Sequence, residues 1–203
     1  MPADLNRIMM KTVSIALLLV LTLAACSTQC APPKEAPASE GSIFHLASTW
    51  NTEEGQSIHL RDLNGKTLVV VMIYTTCKAA CPRLVADMLA IRAGVPAKLD
   101  GKVQYVLVSI DPEHDTPEAL KAFAISKEMD GEEWTFLQGN PASVREFANV
   151  LAVRYKEISP MDFSHSNIIS VFNPAGDLVH QQEGLGVNNK ETIAAIQKSA
   201  GHE

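Results

Sequence analysis

The chain of 203 residues predicts an α/β sandwich, and three observations predict it. Two continuous apolar runs, Leu68-Val-Val-Val-Met-Ile-Tyr74 and Val103-Gln-Tyr-Val-Leu-Val-Ser-Ile110, have the β-branched density of central strands buried on both faces. Each run is followed by a segment whose apolar residues recur at helical spacing. Two further strands around Asn173-Pro-Ala-Gly176 and a last helix close the chain.

The elements follow in order. Ser57-Ile-His-Leu60 is a short strand before the Asn64-Gly65 turn. After the first buried run, Cys81-Pro82 opens a helix with proline in its first turn. Leu84, Val85, Met88 and Leu89 give it an apolar face, and Gly94 ends it. After the second run, Asp115-Thr-Pro-Glu118 reads as a helix cap, and Leu120, Phe123 and Ala124 continue the stripe. Residues 134–137 form a short strand. Asn140-Pro141 caps a helix whose inner face is Val144, Phe147, Ala148 and Leu151. Residues 152–165 show no period and read as irregular. A hairpin over 167–172 and 177–182 and a helix over 190–199 complete the order. Strand–helix–strand–helix, then hairpin and helix, is the order of a thioredoxin-like sandwich with a central mixed sheet flanked by helices.

The amino-terminal 25 residues stand outside this fold. Arg7 and Lys11 precede the apolar run Val13–Leu23 and the small pair Ala24-Ala25, the anatomy of an export signal. Leu23-Ala24-Ala25-Cys26 resembles the lipobox of bacterial lipoproteins, which makes Cys26 the first mature residue and its lipid anchor. Residues 27–42 contain three prolines and no large apolar side chain, so residues 26–42 read as a lipidated flexible tether, with Cys30 an incidental thiol within it. The folded domain then spans residues 43–203. Without residues 1–25, 15 basic and 22 acidic side chains remain, a net charge of −7 that argues against nucleic acid as a partner. Export places the domain outside the cytoplasm, facing the periplasm or cell exterior, where disulfides can form.

The chemistry centres on Tyr74-Thr-Thr-Cys77-Lys-Ala-Ala-Cys81-Pro82, between a core strand and the helix after it. Open α/β folds put their sites at that edge of the sheet. Two cysteines four apart at a helix start can face the same side, and can form a disulfide or offer two thiolates to a soft metal such as Cu(I). Lys78 and the helix N-terminus both favour thiolate. A purely stabilising disulfide here closes a very small loop and removes little unfolded-state entropy. Two thiolates leave a metal site incomplete. Of the six histidines, His165 sits at the mouth of a core strand after the irregular segment, which makes it the first choice as third ligand. His114, in a polar loop, is the next candidate.

Three ordered motifs then carry a resemblance. Thr-Cys77-x-x-x-Cys81-Pro82, Ser109-Ile-Asp111-Pro112-Glu113-His114-Asp115-Thr116-Pro117 and His165-Ser166 resemble the cysteine motif, acidic loop and distal histidine of the Sco/SenC family of copper-binding cytochrome c oxidase assembly proteins. The resemblance extends over roughly residues 43–200. It implies that Cys77, Cys81 and His165 hold copper as Cu(I) or Cu(II), with Asp111 and Asp115 as loop organisers near the metal. It implies a client in the CuA centre of oxidase subunit II, or in another exported copper enzyme, and exchange with thiol reductants and copper donor proteins. Many family members carry proline where this chain has Lys78, and aspartate where it has Ser164. Such changes around ligands shift metal affinity or potential.

Two readings of different class follow. The first is a membrane-anchored copper chaperone without small-molecule turnover. The second is a thiol–disulfide reductase acting on client cysteines through the same Cys77 and Cys81. A peroxidase on the same fold would leave the paired cysteines and His165 unexplained.

Overall fold

The computed structural model describes residues 39–77, 80–160 and 162–201. The export signal, Cys26, Cys30, Lys78 and His202 lie outside the described residues.

Among the described residues nine strands and four α-helices alternate much as expected: β1 (Thr49–Thr52), β2 (Ser57–His59), β3 (Thr67–Ile73), α1 (Cys81–Gly94), β4 (Val103–Ser109), α2 (Pro117–Ser126), β5 (Trp134–Gln138), α3 (Pro141–Val150), β6 (Tyr155–Ser159), β7 (Asp162–His165), β8 (Ile168–Phe172), β9 (Leu178–Glu183) and α4 (Lys190–Ala200). Seven strands form one mixed sheet in the order β2-β1-β5-β4-β3-β8-β9. The two continuous apolar runs become β3 and β4, parallel neighbours in which all seven residues of each are buried. Each large apolar side chain there contributes roughly 1.5–3 kcal/mol through removal from water. β5 extends the parallel set, and β8 runs antiparallel against β3 with Val70 opposite Ser170. The helices bury the predicted stripes: Leu84, Val85 and Met88 on α1, Leu120 and Ala124 on α2, Val144, Phe147 and Ala148 on α3. This is the thioredoxin-like sandwich.

The fold departs from the sequence expectation in four places. β1 is an additional strand, with the fully buried Trp50 as its one large apolar residue. Residues 152–165 are ordered into the separate β6–β7 hairpin, in which Tyr155 faces His165. The cap of α2 is Thr116, whose hydroxyl accepts from the Ala119 amide at 3.3 Å, and Asp115 is turned inward instead. The folded body also begins before Ile43. Ser39 hydrogen-bonds Asp177, and the buried Ser42 donates to the Ala175 carbonyl at 2.6 Å. That turn uses Gly176 at φ 84°, and a β-carbon there would collide with the Ser42 hydroxyl.

Because β3, β4 and β5 are parallel, the loops after β3 and β4 leave the same edge of the sheet. The Ile110 amide donates to the Ile73 carbonyl at 2.8 Å, which fixes the two loops side by side.

Candidate metal centre

The loop after β3 leads into α1 and carries both cysteines. The Cys81 amide, at the start of α1, donates to Cys77 Sγ at 3.3 Å, so the first cysteine takes the place of an oxygen cap. Cys81 is buried and Cys77 is half-buried, and both are thiols. Burial pushes the Cys81 thiol well above its ordinary range; a hydrogen bond from the Tyr74 amide opposes this, while the neighbouring Cys77 adds to it. Loading Cys81 with a metal therefore requires displacing a proton.

His165, the last residue of β7, is half-buried and brings its Nε2 to 4.0 Å from Cys81 Sγ. Its Nδ1 lies 3.1 Å from the Ser166 carbonyl, which can only accept, so Nδ1 carries the hydrogen and the Nε2 lone pair faces the sulfur. Burial lowers the imidazole's pKa, against the opposing effect of that carbonyl bond. The neutral form is thus the one present near pH 7.

One donor atom from each of Cys77, Cys81 and His165 lies within 4.8 Å of the other two. Among the described residues no other group of three such side chains converges this way. Two sulfurs and a neutral imidazole suit copper, which takes soft thiolates and borderline nitrogen together; the carboxylate ligands that hard cations want are missing from this set.

The acidic loop is organised around the centre, outside it. Asp115 is fully buried and accepts from the Thr75 amide at 3.1 Å, from the Thr75 hydroxyl, and from Ser109 Oγ at 2.6 Å. It therefore pins the first residue of the cysteine loop to the end of β4. Burial raises the Asp115 carboxyl above its usual range, against those hydrogen bonds. Asp111, 4% exposed, sits 2.8 Å from His114 Nδ1, and His114 is not one of the three converging donors. The remaining described histidines are engaged elsewhere: His45 at the Ser39 carbonyl, His59 at the Ser48 carbonyl and His180 at the Thr192 hydroxyl.

The link between two residues of the site, Tyr74 and Asp162, was not read from sequence. Tyr74 hydrogen-bonds Asp162 and stacks edge-on against Phe163 and His165, with ring centroids 5.2 and 5.8 Å apart. In the sequence Tyr74 is one more apolar residue closing a strand. Its link to Asp162 spans 88 positions, and no local pattern announces it.

Fold and site together define a thioredoxin-like domain with a dithiol–imidazole centre at the carboxyl edge of its parallel strands. The SCO1/SenC family model matches residues 34–201, and the chain belongs to that family. It is 26% identical over 155 residues to the SCO1 protein homolog of Bacillus subtilis, covering 75% of this chain and 80% of that protein. The structure of Arabidopsis thaliana ScoI with copper bound superposes with a TM-score of 0.65 at 18% identity, covering 74% of this chain and 96% of that one. BsSco, described as a Sco-family cytochrome c oxidase assembly protein with a disulfide switch, superposes with a TM-score of 0.67 at 22% identity, over 85% of this chain and all of that one.

Proposed function

We propose that this domain carries copper as cargo on Cys77, Cys81 and His165 and delivers it to an exported copper enzyme, the CuA centre of cytochrome c oxidase being the leading client. The convergence of the three donors within 4.8 Å carries the reading. Its support from relatives is the copper in Arabidopsis thaliana ScoI and the oxidase-assembly role stated for BsSco. A carrier must bind tightly yet release. Here Cys81 is buried at the start of α1, while Cys77 and His165 are half-buried.

Lipidation at Cys26 would keep the carrier at the membrane face of its client. A thiol–disulfide exchange reading has its own support in the adjacent thiols and in the disulfide switch stated for BsSco. In that reading the more accessible Cys77 thiolate attacks a client disulfide and Cys81 resolves the mixed disulfide. The client gains two electrons and two protons as the Cys77–Cys81 bond forms.

Cu(I) titration of the protein, reduced and then oxidised, tests the carrier reading. The reduced form is expected to bind one Cu(I), the oxidised form to lose that binding, and reductant to restore it. Tight Cu(I) binding by verified disulfide protein would overturn the assignment.

A further inference from the structure

The strand that carries His165 is not part of the main sheet. Among the described residues β7 pairs with β6 alone, and its first residue is hydrogen-bonded by the side chain of Tyr74, the residue that follows β3. Tyr74, 2% exposed, directs its hydroxyl at the first two residues of β7. Oη donates to Asp162 Oδ1 at 2.7 Å and accepts from the Phe163 amide at 3.3 Å, with the Phe163 carbonyl at 3.2 Å. The same ring meets His165 edge-on at 5.8 Å. One phenol thus touches both ends of β7.

We infer that Tyr74 and Asp162 form a clasp that positions His165, setting how well the centre holds Cu(II) while leaving Cu(I) on the two thiolates. The inference rests on the copper reading above and adds to it the residues that govern the third ligand. Its physical basis is the difference between the oxidation states. Cu(I) is satisfied by two sulfurs, whereas Cu(II) prefers nitrogen donors in a more tetragonal field. A loosened β7 costs the state that needs the imidazole. The clasp also compensates for Ser164: the residue next to the histidine offers no carboxylate, and the nearest acid, Asp162, is anchored through the phenol instead.

Tyr74→Phe keeps both ring contacts and removes only the hydroxyl. The change is expected to weaken Cu(II) binding about tenfold, the scale of one hydrogen bond to a charged group, and to alter the nitrogen hyperfine structure of the spin-resonance signal. Cu(I) affinity is expected to stay within about twofold. Asp162→Ala, at an exposed side chain, should reproduce the loss, and Asp162→Asn, which keeps an acceptor, should largely rescue it. The double variant should be no worse than either single one. In the metal-free protein, amide exchange across 162–165 should quicken in Tyr74→Phe while that of β3 does not. Wild-type Cu(II) affinity in Tyr74→Phe, or equal losses of Cu(I) and Cu(II), would overturn the clasp. His165→Ala measured alongside separates the two layers. If it loses Cu(II) while Tyr74→Phe does not, the clasp alone fails; if it keeps wild-type Cu(II) binding, the ligand assignment fails and the clasp with it.

Discussion

Cys81 and His165 are displaced by burial in opposite senses, and each displacement has a pH signature. The folded protein keeps the Cys81 proton where an unfolded thiol releases it. That stabilisation is complete below the ordinary thiol value of 9.0 and is lost as pH rises past it toward the raised folded value. Melting of the metal-free protein is therefore expected to decline above that pH, and to decline less in Cys81→Ala; parallel curves would contradict the burial argument. Copper must displace the same proton, so Cu(I) affinity should rise with pH near neutrality, by about tenfold per pH unit for each thiol proton displaced. For His165 the sign reverses. Its pKa is lowered, so the neutral ring's contribution is complete above 6.5 and is lost as pH falls through the lower folded value. Asp115 is a positioning residue of another kind. Asp115→Ala strands the Thr75 amide and the Ser109 hydroxyl, at a cost of roughly 2–3 kcal/mol, and should weaken copper binding by freeing the cysteine loop. Asp115→Ala with unchanged melting would mean that solvent replaces those bonds.

At the level of elements, what could be read in the sequence was what local pattern dictates. β3 and β4 announce themselves because a strand covered on both faces must be apolar throughout. The Asn140 cap is equally local, accepting from Ala142 and Ser143 at 2.9 Å each. Asn140→Ala should cost about 1 kcal/mol in melting experiments and leave copper binding untouched, which separates stability from the site. The β6–β7 hairpin was hidden because β6 buries no side chain fully, so Tyr-Lys-Glu-Ile-Ser shows no alternation. β1 was hidden because one tryptophan among polar neighbours makes no period. The shift of the α2 cap from Asp115 to Thr116 has a non-local cause. Both residue types can cap, and the distant Thr75 claims the aspartate. The cysteine pair was legible as a site because its spacing and its place at a strand–helix junction are local facts. His165 was legible by position only, and its place at the end of β7 was not.

Across the whole molecule, the register decides where the two ends of the function lie. Leu68 pairs with Phe172, so the β8–β9 turn sits at the start of β3, at the edge opposite the cysteine loop. Residues 39–43 are fastened to that turn, with the Ile43 amide on the Gly176 carbonyl at 3.0 Å. The cysteine loop and residues 39–43 therefore lie at opposite edges of the sheet. Among the described residues no helix is long and apolar enough to cross a membrane, and attachment through Cys26 is a separate proposal. Wild-type protein expressed in a bacterial host should fractionate with membranes, and Cys26→Ser should leave it unprocessed or released. A mature, unlipidated and wholly soluble wild-type protein would reject the anchor without touching the copper site.

The central claim is that two thiolates and one imidazole hold a single copper, and copper-edge X-ray absorption of the loaded protein tests it most directly. The expected result is two sulfur neighbours with a nitrogen neighbour in the Cu(II) form, loss of the nitrogen in His165→Ala, and loss of one sulfur in Cys77→Ser or Cys81→Ser. A first shell with fewer than two sulfurs in the wild-type protein, or one unchanged by all three substitutions, would contradict it.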